Sequence, residues 1–83
     1  MNRRNTMNEL PGYIKRLRDL REDCDLTQAQ VAQKLGTSQT MYARYERGAN
    51  ELPVRHLITL CRLYHESADH ILGLDESKKA GDV

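Results

Sequence analysis

Leu26 to Gly48 reads LTQAQVAQKLGTSQTMYARYERG, and two short helices joined by a tight turn account for its punctuation. Thr27-Gln28-Ala29-Gln30 has the form of a capping box, in which the Thr hydroxyl and the Gln side chain three residues on satisfy free backbone amides reciprocally. A helix therefore starts at Gln28. Its inward face is Ala29 or Ala32, Val31 and Leu35, and Gly36 ends it after eight residues. Thr37 and Ser38 can each cap the next helix, which carries Met41, Tyr42 and Tyr45 and stops at Gly48. Gln39, Thr40 and Arg44 then project from its other side.

Working outward, Pro11 fits the first turn of a helix. From there Ile14, Leu17, Leu20 or Arg21, and Cys24 recur at intervals of three and four, which is helical spacing ending near Cys24. Asp25 occupies a junction where the backbone can turn left-handed, which Asp tolerates better than most residues. Beyond Gly48, residues 49–52 form a turn and Pro53 suits the first position of a fourth helix with apolar Leu57, Ile58, Leu60, Cys61 and Tyr64. After a break at His65-Glu66, Ser67 can cap a short fifth helix holding Ala68, Ile71 and Leu72, closed by Gly73. No segment alternates as a strand does, so the expectation is an all-α domain of five helices over residues 8–74. A mobile basic arm (1–7, with Arg3 and Arg4) and a flexible polar tail (75–83) flank it.

A chain of 83 residues with 39% hydrophobic and 30% charged residues, and no Trp or Phe, holds one domain with a thin aliphatic core. It contains no apolar run of the ~18 residues a membrane span needs, and the polar residues after Arg3-Arg4 do not form a signal peptide. The expected location is cytoplasmic, and Cys24 and Cys61 are expected as reduced, buried thiols. The net charge of +1 hides an asymmetry: nine bases face six acids up to Gly48, giving +3, while four bases face six acids beyond it, giving −2. A basic face is possible within a nearly neutral protein.

Two short helices joined at Gly36-Thr37-Ser38 cross steeply, so the first can lie over a phosphate backbone while the second enters a major groove about 12 Å wide. Base edges there require side chains that both donate and accept, as Gln39 does. On this unit, with Tyr45-Glu46-Arg47-Gly48 ending the third helix and Pro53 opening the fourth, the chain resembles the Cro and lambda-repressor type (XRE) helix-turn-helix family. The resemblance runs from about Tyr13 to Leu74, roughly three-quarters of the chain. It implies a compact five-helix lambda-repressor-like domain that binds double-stranded operator DNA, usually as a homodimer on a near-palindromic site, and regulates transcription, here as a repressor.

Carried over by position, the resemblance gives Gln28 and Ser38, at two helix amino ends, phosphate contacts. Gln39, Thr40 and Arg44 become base readers, with Arg44 suited to guanine and Gln39 to adenine. Met41 or Ala43 can touch a thymine methyl. Arg47 and Asn50 fall nearer phosphate than bases, and Arg21 with Glu46 is similar to the family's structural ion pair. Two departures matter. Asp25 stands where many members have Gly, and residues 49–52 lack the cation that often grips phosphate and carry Glu51 instead. The Arg3-Arg4 arm can offset this by reaching a minor groove.

Other classes fit less well. Ser67, Asp69 and His70 are triad residue types on one short helix without an oxyanion site, which argues against an enzyme. Cys61, His65 and His70 lack metal-ligand spacing, and no cofactor is implied. The rival is a protein-interaction module or antitoxin-type partner on the same fold, which would expose an apolar patch on the third helix rather than Gln39, Thr40 and Arg44.

Overall fold

The computed structural model describes residues 11–74; the basic arm and the polar tail lie outside the described residues. Five helices follow one another: α1 (Gly12–Asp23), α2 (Gln28–Leu35), α3 (Gln39–Arg47), α4 (Val54–Tyr64) and α5 (Ala68–Leu72). The described residues contain no strand. The starts follow from local chemistry. Thr27 and Gln30 close the capping box, with the Thr27 Oγ1 accepting from the Gln30 amide at 3.1 Å and the Gln30 Oε1 accepting from the Thr27 amide at 2.8 Å. Ser38, rather than Thr37, caps α3 by accepting from the Met41 amide at 3.0 Å, and Ser67 caps α5 in the same way. Pro11 and Pro53 stand one position outside their helices, with extended ψ of 144° and 150°. A ring-fixed φ and a missing N–H cost nothing there.

Most helix ends share one device. After α1 the Leu26 amide donates to the Arg21 carbonyl and the Asp25 amide to the Glu22 carbonyl, both at 3.0 Å, with Asp25 left-handed at φ 57°. This pairing turns the chain sharply while satisfying the last carbonyls. The same two-bond pattern closes α2 through Gly36 and Thr37, and α3 through Gly48 and Ala49. At the end of α4 the left-handed position is His65, at φ 56°. A Cβ disfavours that region, so His65→Gly is expected to raise stability by up to about 1 kcal/mol in a urea melt.

α2 and α3 pack closely on each other, α1 rests on α3 and α5, and α4 on α2 and α5. The core between them holds Leu17, Val31, Ala32, Leu35, Tyr42, Tyr45, Leu60, Tyr64 and Ile71. Tyr45 stands edge-on to Tyr42 (centroids 6.3 Å apart) and to His56 (5.8 Å). Three residues differ from the sequence reading, Cys24, Cys61 and Ile58, and of the alternatives Ala29 and Ala32 the structure selects Ala32. Cys24 is exposed and Cys61 half-buried, both as free thiols. Cys24 lies past the last turn of α1, where the chain already swings towards α2. Ala29 is exposed and Ala32 is the inward residue of α2. Ile58 points outward at 46% exposure, while His56 takes the buried place. Residues 56, 60 and 64, four apart, form the inner stripe of α4, so Ile58 falls outside it.

Candidate nucleic-acid interface

α3 divides cleanly. Tyr42 and Tyr45 are buried and Met41 packs against the core, whereas Gln39, Thr40 and Arg44 are exposed. Thr40 and Arg44 are four residues apart and so share one edge, with Gln39 beside them in the first turn. Ser38 is also exposed; its oxygen caps the helix, and its O–H remains a donor. The free amides of that first turn make the same end attractive to an anion. The helix thus presents donors and acceptors along its outer edge, with its large apolar groups turned inward.

Arg44 is held from the following loop. Its Nε donates to the Asn50 Oδ1 at 2.6 Å, while the Ala49 and Asn50 amides both point at the Arg44 carbonyl, at 2.9 and 3.4 Å. Gln28 is half-buried at the start of α2, and its Nε2 donates to the Glu46 Oε1 at 3.1 Å. An amide nitrogen carries two hydrogens, so one donor remains for phosphate. Arg47 is exposed at the far end of α3, about 12 Å along the axis from Gln39. There it lines an open cleft with Ile14 and Arg18 of α1.

Arg21 and Glu46 fasten this unit together. The guanidinium grips the carboxylate with two bonds, Nε to Oε2 at 2.7 Å and Nη2 to Oε1 at 3.1 Å, and its Nη1 donates to the Leu26 carbonyl at 3.0 Å. One side chain thereby ties the α1–α2 corner to the end of α3, and Gln28 adds the start of α2. Glu46 is 4% exposed as a side chain and Arg21 13%. Burial pushes the Glu46 carboxyl up, but the bonds from Arg21 and Gln28, with the Tyr42 hydroxyl nearby, outweigh it and hold the group below the usual carboxylate range. The Arg21 guanidinium is correspondingly raised, first by its bond to Glu46.

The Tyr42 and Tyr64 hydroxyls are buried beside this pair without aligned hydrogen-bond partners. Burial, together with the Glu46 charge, raises both; Tyr64, which also lies near Cys24, is pushed up to about 12. Burial, then Arg55, lowers His56.

This layout matches a known family, since a helix-turn-helix domain model covers residues 15–74. The chain belongs to the helix-turn-helix family. Two relatives come from Bacillus subtilis (strain 168). The uncharacterized HTH-type transcriptional regulator YobD is 42% identical over 64 residues, 77% of this chain and 57% of the relative. The HTH-type transcriptional regulator ImmR is 34% identical over 69 residues, 83% of this chain and 54% of the relative. The chain thus spans little more than half the length of these relatives. No solved structure matches it. Both relatives carry the name of HTH-type transcriptional regulators.

Within the helix-turn-helix frame, the side chains considered for other chemistries have local roles. The Ser67 Oγ caps α5, and the His70 Nε2 lies 3.5 Å from an Arg16 nitrogen and 3.8 Å from the Glu66 carboxylate. Among the described residues no three His, Cys, Asp or Glu side chains are grouped to hold a metal ion, and no helix is long and apolar enough to cross a membrane. Two features escape the sequence. His56 sits at an inward position of α4 that the spacing to Leu60 and Tyr64 marks, but its polarity disguises it. The Arg44 to Asn50 bond joins residues six apart across the turn at Gly48, and no periodicity signals it.

Proposed function

We propose that this helix-turn-helix protein is a repressor that reads a specific operator by laying α3 in the major groove. The observation that carries the reading is the division of α3. The large apolar residues exposed among the described residues are Val54, Ile58 and Leu74, all outside α3, and the outer edge of α3 is hydrophilic. A protein-docking helix would reverse that pattern. Gln39, Thr40 and Arg44 are the base readers, with Arg44 on guanine and Gln39 on adenine. Gln28 and Ser38 contact phosphate at the two helix starts, and Asn50 and Arg47 lie nearer phosphate than bases.

The protein works as a homodimer in the cytoplasm, with half-sites of a near-palindromic operator about 34 Å apart and the subunits meeting near Leu72 and exposed Leu74. Repression then needs no further machinery, because a dimer seated on a promoter excludes polymerase. The test is a fluorescence-anisotropy titration of the 83-residue chain on the DNA flanking its own gene, against a scrambled duplex, over a range of salt. Expected is a preference for the flanking DNA, with log affinity falling by about 0.9 per phosphate neutralised for each unit of log salt. Equal affinity for both duplexes, or binding insensitive to salt, would falsify the reading.

A further inference from the structure

We infer that Asn50 is a specificity-determining residue that acts through Arg44, by fixing the direction in which the guanidinium leaves α3. The inference rests on the reading of Arg44 as a base contact and deepens it. An arginine on an exposed helix edge ordinarily samples many rotamers and loses them on meeting a guanine. Here the Nε, the inner nitrogen of the fork, is already engaged by the Asn50 Oδ1 at 2.6 Å. That bond uses a donor that an end-on contact with guanine does not need. The two terminal nitrogens remain to take O6 and N7 together, in the bidentate geometry that distinguishes guanine from other bases.

Asn50 is itself well placed to hold still. It is half-buried, its amide reaches the Arg44 carbonyl at 3.4 Å, and it follows the left-handed Gly48 that turns the loop back beside α3. The same residue therefore anchors on the Arg44 backbone and restrains the Arg44 side chain. An asparagine that served phosphate alone would use its Nδ2 donors, and nothing would require its oxygen to face a cation. Glu51, next in the loop, makes this corner a poor phosphate grip, which leaves restraint of Arg44 as the stronger use of Asn50.

Two substitutions separate the roles. Asn50→Ala removes both the oxygen and the Nδ2 donors, whereas Asn50→Asp keeps an oxygen for Arg44 and removes the donors a phosphate would need. The experiment is bind-and-sequence of a randomised duplex pool with the wild-type chain, Arg44→Ala, Asn50→Ala and Asn50→Asp, after circular dichroism has shown each folded. In the wild type one guanine position should be enriched, and Arg44→Ala should abolish its preference, a change of about 5- to 150-fold. Asn50→Ala should weaken preference at that position alone, by about 2- to 10-fold, the range expected from freeing one long side chain. Asn50→Asp should keep the preference while lowering affinity for all sequences alike. If Asn50→Ala leaves the guanine preference intact and lowers affinity uniformly, Asn50 is a phosphate contact and the inference is wrong. If Asn50→Asp loses the preference as fully as Asn50→Ala, restraint through the oxygen is likewise refuted. A wild-type pool without any enriched motif overturns the operator reading itself, and a motif that survives Arg44→Ala overturns the role of Arg44.

Discussion

Glu46→Ala is expected to lower the stability of the domain by about 3 kcal/mol, out of the roughly 5 kcal/mol that a domain this small commonly has. The carboxylate accepts from Arg21 twice and from Gln28 once. Its loss leaves a guanidinium that is 13% exposed with only the exposed Glu22 carboxylate, 3.9 Å away, as counter-charge. Breaking one partner of a buried pair costs about 3–5 kcal/mol, and the Leu26 carbonyl and the Glu22 carboxylate that still face Arg21 place the effect at the low end. Arg21→Ala should cost at least as much, because the buried carboxylate keeps only Gln28 as a donor and loses its cation, and the Leu26 carbonyl loses its side-chain donor. Replacing both together by Met and Leu should recover most of the loss, since the penalty lies in the stranded charge rather than in the absence of the pair. Urea melts followed at 222 nm measure all three, and a single-variant loss under about 1 kcal/mol would show the pair to be no better than a surface bridge.

The same pair shapes the acid response. Glu46 binds a proton less readily folded than unfolded, so its contribution is present above its ordinary value of 4.5 and is lost as pH falls through the lower folded value. His56 is also lowered, from 6.5, by burial and by Arg55. Its neutral ring favours the folded state above that value, and the advantage drains away as pH falls below it. The urea midpoint should therefore decline in two stages on acidification. His56→Phe should remove the upper stage and Glu46→Ala the lower.

How far residues alone reveal this arrangement depends on the range of the interaction. Caps and stops are written within four residues of where they act, so Thr27 with Gln30, Ser38, Ser67 and the left-handed Asp25 are all readable before any coordinates. Burial on α2 and α3 follows a face, and Val31, Leu35, Tyr42 and Tyr45 obey it. The pattern misleads where the helix has just ended, as at Cys24, or where a polar ring takes an inward position, as His56 does beside Tyr45. The outer edge of α3 is legible because it is the complement of the buried one. Which neighbour restrains Arg44 is not, since it depends on how a loop folds back after Gly48 and places an oxygen 2.6 Å from one nitrogen. Similarly, Gln28 as a phosphate ligand is an inference from a helix start, whereas its bond to Glu46 depends on how α2 and α3 pack.

Removing the reading edge while keeping the fold gives the largest functional effect expected. Gln39 and Arg44 are exposed, and no core contact of α3 depends on either. Gln39→Ala/Arg44→Ala should therefore melt within about 1 kcal/mol of the parent, the loss being the Arg44 bond to the Asn50 Oδ1. The Asn50 amide keeps its bond to the Arg44 carbonyl, so the loop after α3 stays in place. Each bidentate base contact supplies about 1–3 kcal/mol of discrimination, and on the proposed assignment Gln39 and Arg44 read different base pairs, so together they should account for about 2–6 kcal/mol in each half-site. The ratio of specific to non-specific affinity should fall by about 30-fold or more even at the lower limit of that range. On the proposed assignment Gln28, Ser38 and the free amides of the two helix starts remain for phosphate, so residual binding should persist. The variant is thus expected to bind DNA without choosing among sequences. Anisotropy titrations on operator and scrambled duplexes at one fixed salt concentration measure the ratio directly. A double variant that folds normally and still prefers its operator as strongly as the parent does would show that α3 is not the reading element.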